Sequence, residues 1–392
     1  MTLALELYRS VPRYLAARAL GDRAPGVISS GIASLRLVNR DEPAPPATGW
    51  ARLKPLLSGI CGSDLTAISG KTSFYFSALV SMPFVPGHEV VGELVEDCDD
   101  LKAGTRVVLD PILGCAARGV GETCEPCAAG LHGLCERVTG GHVSPGLQTG
   151  YCADTGGGWS GSLVAHRSQL HAIPDVVTNE TAIMIEPLAC ALHAVERAQV
   201  RDGSTVLIVG AGTVGLLTLL ALREAAQPGR IIVVAKHAKQ VDLAKRFGAT
   251  DVVEPSDAMA AVRRATRAFR LHPERSSPYL LGGVDVAFEC VGSKDGLDLA
   301  VRATRPRGRV IVSGMPERID LSPVWFRELE LVGAYSGAGS FGTAVELASD
   351  ARLGELVGAT YPLSRWREAI DHAMSSGRLG TIKVAFDPTR ES

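Results

Sequence analysis

Three groups of residues in this sequence have the types and the spacing to do chemistry. The first joins Cys61, in the run Gly59-Ile60-Cys61-Gly62-Ser63-Asp64, to His88 and Glu89, in Pro86-Gly87-His88-Glu89-Val90-Val91-Gly92, and to Glu186, in Ile185-Glu186-Pro187-Leu188. Thiolate, imidazole and carboxylate together form a three-point ligand set for Zn²⁺, and a catalytic zinc keeps a fourth position open for water or substrate. A single His or Cys is more often just packed. Here the Cys and the His each fall on a glycine-rich turn, so the pattern reads as a site.

The second group is a cysteine cluster. The chain has nine cysteines, and four of them (Cys115, Cys124, Cys127 and Cys135) crowd into the segment 115–135. In a reducing compartment such a cluster is more often a metal site than a disulfide framework, and four thiolates with no open position make a structural zinc site. The other five are dispersed and read as small core residues.

The third group is Gly210, Gly212 and Gly215 in VLIVGAGTVGLLTLL, at G-x-G-x-x-G spacing between an apolar strand and an apolar helix. Gly210 makes the tight turn, Gly212 lets the backbone approach a pyrophosphate, and Gly215 lets helix and strand pack closely. Thr213 and Val214 open the helix, whose N-terminus offers free N–H groups and a partial positive charge to phosphates. The next strand ends at Ala235, twenty positions past Gly215, where an NAD enzyme usually carries an acid for the ribose hydroxyls. Here the residues are Ala235, Lys236, His237 and, further on, Lys239. Cations without an acid suit a 2′-phosphate, so the expected cofactor preference is NADP(H) over NAD(H).

The elements that must position these groups change character along the chain. The first half is rich in Gly, Pro and short β-branched runs such as VVGELVE, TRVVLD and GSLVAH, which read as short strands between turns. From about residue 187 helix and strand alternate: PLACALHAVERA, with Pro187 at its first position, then STVLIVG, TVGLLTLLALREAA, RIIVVAK, QVDLAKRFGA, VDVAFEC, GLDLAVRATR and RVIVSG. Continuously apolar strands in βα alternation predict a parallel sheet covered on both faces. A last stretch, LSRWREAIDHAMSSGRLGTIKVAF, reads as one amphipathic helix and one strand. Residues 264–283 read as a polar loop insertion, and Ser69–Pro83, with Phe74, Tyr75, Phe76 and Met82, as either a pocket wall or core.

At 392 residues the chain suits two domains, and 46% hydrophobic with 21% charged residues is a globular balance. A net charge of −2 with dispersed basic residues gives no footprint for nucleic acid or an anionic membrane surface. No apolar run approaches the ~20 residues of a membrane helix, and MTLALELYRS is not a signal peptide, so a cytoplasmic location is expected.

GICGSD, PGHEVVG, the cysteine lobe, IEPLACALHAV, VGAGTVG, FECVG and RVIVSG, in this order over residues 30–390, resemble the zinc-dependent medium-chain dehydrogenase/reductases, in the style of the polyol and threonine dehydrogenase branch. The resemblance implies an α/β chain with a GroES-like, β-rich catalytic domain, 1–188 with 339–392 returning to it, and a Rossmann nucleotide-binding domain with a parallel sheet at 189–338. It implies a zinc-dependent alcohol dehydrogenase that moves a hydride between a small-molecule alcohol or carbonyl substrate and a nicotinamide cofactor. Two zinc ions are implied, one catalytic and one structural, in a homodimer or homotetramer. Carried over, Cys61 and His88 would hold the catalytic zinc, and Glu89 matches an acid at or near the metal. Glu186 would bind directly or through water, and Ser63 would relay the substrate proton. Two departures stand out. Thr66 occupies the place of a relay histidine, and AARGVGET is inserted between Cys115 and Cys124, where the family spaces the thiolates C-x2-C-x2-C-x7-C. A zinc-free enoyl or quinone reductase of the same superfamily would lack Cys61, His88 and the cysteine lobe. A non-catalytic nucleotide- or zinc-binding protein would have no use for the complete ligand set.

Overall fold

The computed structural model describes residues 1–21, 26, 28–315, 319–337, 339–350 and 353–390. Its strands, in chain order, are β1 (Thr2–Leu7), β2 (Leu35–Arg40), β3 (Trp50–Gly59), β4 (Val90–Leu94), β5 (Arg106–Leu109), β6 (Leu163–His166) and β7 (Leu170–Ala172). They continue with β8 (Thr205–Val209), β9 (Arg230–Val234), β10 (Asp251–Val253), β11 (Phe269–Leu271), β12 (Tyr279–Leu281), β13 (Val284–Glu289), β14 (Thr304–Val312) and β15 (Glu330–Gly333), and end with β16 (Val357–Tyr361) and β17 (Lys383–Phe386). The chain forms two compact units, Met1–Glu186 with Ala338–Ser392, and Pro187–Gly337.

In the first unit the sheet order is β16-β17-β3-β4-β5-β7, with β6 pairing β3. β3 is the hub: it runs antiparallel to β4, β6 and β17, so the C-terminal strand is built into the same sheet as GICGSD and PGHEVVG. Leu5, Leu35, Ile60, Trp159, Trp366 and Phe386 share one core, and Trp159 meets Phe386 edge-on at 5.1 Å. Between β1 and β2 the chain forms a helix, Val11–Leu20, in a stretch whose sequence reads as strand and turn. It bolts onto the segment after Gly62–Ile68 through Tyr14 Oη to Thr72 O (3.2 Å) and Arg18 Nη1 to Gly70 O (3.2 Å).

The second unit is a six-stranded, wholly parallel sheet in the order β10-β9-β8-β13-β14-β15. This is the doubly wound order, in which the chain starts at the middle, runs to one edge and returns to the other. Val206, Leu207, Ile208, Ile232, Val233, Ala287 and Phe288 are fully buried, the outcome that continuously apolar strands require. The first helix of this stretch runs Ile185–Ala198 and begins two residues ahead of Pro187, which is tolerated in a first turn because its missing N–H would have no partner there.

Residues 264–283 are not a plain loop. Arg270 lies at the centre of β11, which pairs antiparallel with β12 as a short hairpin. Arg327, 3% exposed, donates to Leu280 O (3.3 Å), Thr304 O (2.6 Å) and Val301 O (2.5 Å), and Arg302 donates to Ser277 O (2.7 Å) and Ser276 Oγ (3.1 Å). A polar composition concealed a hairpin pinned by arginines on backbone carbonyls. Among the described residues, no helix is long and apolar enough to cross a membrane.

Candidate active site and zinc lobe

Cys61 is the N-cap of the helix Gly62–Ile68, so the helix start fixes its position at the end of β3. Asp64, in the first turn, closes a capping box: its Oδ2 accepts from Cys61 N at 3.0 Å. The same carboxylate faces His88, with Oδ1 3.4 Å from Nδ1. With Nδ1 turned to a carboxylate, Nε2 is the nitrogen left for a metal, the arrangement that orients metal-binding histidines. Burial alone would push the His88 pKa down, but the Asp64 carboxylate, with help from Cys61, holds it well above the ordinary imidazole range. Tyr151 packs beside the pair, its ring centroid 5.9 Å from that of His88 and its Oη 3.5 Å from Asp64 Oδ1.

Ligand atoms of Cys61, His88 and Glu89 lie within 4.8 Å of one another. Glu89, 1% exposed, is ion-paired with Lys383, whose Nζ donates to Glu89 Oε1 at 2.6 Å, contacts Oε2 as well, and reaches Ile60 O at 3.4 Å. Burial alone would lower the Lys383 pKa, yet Glu89, then Cys61 and Glu186, hold it above the ordinary value. Glu186 lies in the first turn of Ile185–Ala198, 9% exposed, and is not part of the three-residue cluster, although its charge is felt at Lys383. Ser63 is half-buried at the second position of the Cys61 helix. Thr66 turns inward on its own helix, donating from Oγ1 to Gly62 O at 2.8 Å.

Sequence reasoning missed Lys383. The signal was a lysine inside the apolar run IKVAF, at a position where the pattern calls for a core residue. In Ser69–Pro83, Phe74 is 68% and Tyr75 76% exposed, which excludes the core alternative.

The inserted lobe brings its four thiols together. Cys115, Cys124, Cys127 and Cys135 are all buried, with sulfur atoms within 4.8 Å of one another. Cys115 Sγ is 3.5 Å from Cys124 Sγ and 3.7 Å from Cys135 Sγ. Sulfurs on a tetrahedron around zinc, each about 2.3 Å from the ion, would be about 3.8 Å apart, so the thiols fit a Zn²⁺ in size and chemistry. The Glu136 backbone N–H lowers the Cys124 thiol to about 7, and burial pushes Cys127 and Cys135 up. Part of the insertion folds as one helical turn, Cys115–Arg118, and Arg118 is fully buried. Its guanidinium donates to Leu113 O (3.0 Å), Gly140 O (2.9 Å), Val143 O (3.2 Å), Ser144 O (3.5 Å) and Gly146 O (2.5 Å), which ties the insertion to the loop beyond Cys135.

In the parallel-sheet unit, Gly210 adopts φ +101°, and a Cβ on Gly215 would lie 1.9 Å from Gly210 O, so only glycine permits this helix–strand approach. Gly212 caps the helix Thr213–Ala225 and faces open space, so a ligand approaching the backbone at the helix start meets no side chain there. Ala235 is buried. Lys236 and Lys239 are exposed, and His237 caps the next helix, Ala238–Arg246, with Gln240 closing the box on the Lys236 and His237 N–H groups.

The comparisons with known proteins identify the family. The chain matches the family models "Alcohol dehydrogenase GroES-like domain" over residues 47–175 and "Zinc-binding dehydrogenase" over residues 213–350. It is 29% identical over 339 residues to L-idonate 5-dehydrogenase of Vitis vinifera, covering 84% of this chain and 85% of that protein. It is 30% identical over 308 residues to probable D-xylulose reductase A of Neosartorya fischeri, covering 76% and 78%. Among solved structures, a zinc-binding dehydrogenase of Sinorhizobium meliloti 1021 bound to NADP superposes with a TM-score of 0.72 at 26% identity over 99% of both chains. The 2R,3R-butanediol dehydrogenase of Bacillus subtilis does so with 0.70 at 25% identity over 90% and 96%. With its site chemistry, its doubly wound sheet and these relatives in agreement, the chain belongs to the zinc-dependent medium-chain dehydrogenase/reductases, close to the polyol dehydrogenases, and is an oxidoreductase that passes a hydride between an alcohol and a nicotinamide cofactor.

Proposed function

We propose that catalysis runs at a zinc that Cys61 and His88 would hold, with Glu89 or Glu186 as the carboxylate, Glu186 directly or through a water. The observation that carries this reading is the convergence of Cys61, His88 and Glu89 ligand atoms within 4.8 Å, on a histidine backed by Asp64 and a glutamate neutralised by Lys383. A zinc bound there would supply a Lewis acid toward the alcohol oxygen, and a bound nicotinamide cofactor would supply the hydride acceptor. Asp64 holds His88 in orientation, and Lys383 pairs with the buried Glu89 carboxylate. Ser63 takes the substrate proton. Because the Thr66 hydroxyl donates to Gly62 O, the proton leaves Ser63 to solvent without a second side chain at that position.

The cysteine lobe is read as a second, structural zinc site. The cofactor is read as NADP(H), because Ala235 offers no carboxylate to repel a 2′-phosphate while Lys236 and Lys239 stand exposed beside it. The enzyme is read as a homodimer or homotetramer, and as cytoplasmic, in keeping with nine cysteines that form no disulfide.

The test is hydride transfer, followed by nicotinamide absorbance, with sorbitol, L-idonate, D-xylulose and 2R,3R-butanediol, in the native enzyme and in Cys61→Ala and His88→Ala. Both variants should lose turnover by at least about a thousandfold while still binding cofactor, since a Lewis acid contributes several kcal/mol to the barrier. Most of the activity surviving in His88→Ala would rule out the metal assignment.

A further inference from the structure

Glu289 is the last residue of β13, is 0% exposed, and has no part in the metal chemistry. Its carboxylate accepts from backbone groups just beyond the strand: Oε1 from Val291 N (2.9 Å) and Gly292 N (2.9 Å), and Oε2 from Gly292 N (3.1 Å). Burial raises its pKa, and these N–H donors, with that of Ser293, act against the rise. Its main chain joins the neighbouring strand exit, with Ser313 N donating to Glu289 O at 3.1 Å.

The exits of β13 and β14 are pressed together around this carboxylate. A Cβ on Gly314 would lie 2.3 Å from Gly292 Cα and 2.7 Å from Glu289 Oε2, and one on Gly210, at the β8 exit, would lie 2.6 Å from Val291 Cγ2. Three adjacent strand ends are therefore closely packed around one buried acid and the loop it holds.

The sheet order says what passes over them. β9, with Ala235 and Lys236 at its end, lies on one side of β8, and β13 and β14 lie on the other. A dinucleotide with its pyrophosphate on the β8 turn and its adenosine ribose at the β9 end runs its other half across the β13 and β14 exits. We infer that Glu289 is a positioning residue for the nicotinamide half of the cofactor: by gathering Val291, Gly292 and Gly314 it sets the backbone surface against which that half is held. The inference rests on the nicotinamide cofactor, and does not depend on the metal assignment or on which dinucleotide is preferred.

Calorimetric titration separates these roles. NADPH, NADH and ADP-ribose, which lacks the nicotinamide ring, are titrated into the native enzyme and Glu289→Gln. The amide keeps the shape but presents an N–H₂ where a backbone N–H needs an acceptor. The expected result is about tenfold weaker binding of the better dinucleotide, the scale of a lost preorganised contact surface, with ADP-ribose changed less than about twofold and a folded protein with a somewhat lower melting temperature. Gly314→Ala, which forces the exits apart from the opposite side, should reproduce the pattern. Equal weakening of dinucleotide and ADP-ribose, no weakening of either, or loss of the fold in both variants would overturn the role. A native enzyme that binds neither dinucleotide would instead remove the cofactor reading beneath it.

Discussion

Two carboxylates near the candidate metal are each paired within the fold. Asp64 is shared between Cys61 N and His88, and Glu89 is matched by Lys383, so neither acid is left as an uncompensated buried charge, which would cost several kcal/mol. Position 235 governs a different charge. Ala235→Asp should swing the ratio of kcat/KM for NADP(H) over NAD(H) toward NAD(H) by about 10- to 100-fold, the value of a charge-assisted contact of about 1.5–3 kcal/mol gained by one cofactor and denied to the other. A native preference for NAD(H), or no swing, would refute the reading of Lys236 and Lys239. Asp110 offers a test of stability. Burial raises its carboxyl to about 6, against one hydrogen bond from Ile112 N (3.1 Å). The folded state thus keeps a proton that the unfolded chain releases near pH 4, so stability falls as pH rises from about 4 to 6 and stays lower above. Asp110→Asn removes that fall. In urea unfolding it should gain on the native protein at pH 7.5, by up to about 3 kcal/mol, and gain little at pH 4. Equal differences at the two pH values would show that Asp110 is not held protonated.

At the scale of elements, what could be read from the sequence was what is local. The strand, turn and helix around Gly210, Gly212 and Gly215 follow from six positions whose backbone demands are met within one turn, and the parallel strands announce themselves by uninterrupted apolar runs. Pairings set by the tertiary fold were invisible: Lys383 with Glu89, Asp64 as the brace of His88, and the hairpin β11–β12, whose three-residue strands are too short to show a period. The helix Val11–Leu20 was hidden because Pro12 and Tyr14 sit in a stretch rich in turn residues and its apolar face is short. The cysteine lobe shows an insertion being absorbed. Cys115 returns to the other thiols where Arg118, on the same helical turn, fills a ring of carbonyl oxygens from Leu113 and from the loop beyond Cys135. Arg118→Leu should strand those acceptors, lower stability by about 2–4 kcal/mol and loosen zinc retention in the lobe. Arg118→Lys should fall between, because a point charge cannot reach so many carbonyls at once. Thermal melting and zinc release to a chromogenic chelator measure both effects, and a stable Arg118→Leu would show that the thiols alone fold the lobe.

At the scale of the whole molecule, the two separate ligand clusters among the described residues predict two zinc ions per chain by elemental analysis of fresh protein. Graded chelation should release them in two phases, one that tracks loss of hydride transfer and one that tracks a fall in melting temperature, because a structural site contributes folding free energy directly. A single zinc lost together with activity would leave the cysteine lobe metal-free.

The union of β17 with β3, and of Lys383 with Glu89 across 294 residues of sequence, has a consequence for the order of events on the ribosome. The parallel-sheet unit, Pro187–Gly337, is made of consecutive chain and can fold as it emerges. The unit carrying the candidate metal ligands is translated first but completed last. Until Lys383 leaves the exit tunnel, roughly 2–10 s after Gly337 at ordinary elongation rates, Glu89 has no counter-ion and β3 has one edge open. During that interval the nascent chain offers a thiol, an imidazole and an unpaired carboxylate in a half-built pocket, so premature termination within the last strand would release a chain with a finished nucleotide unit and an unfinished catalytic one.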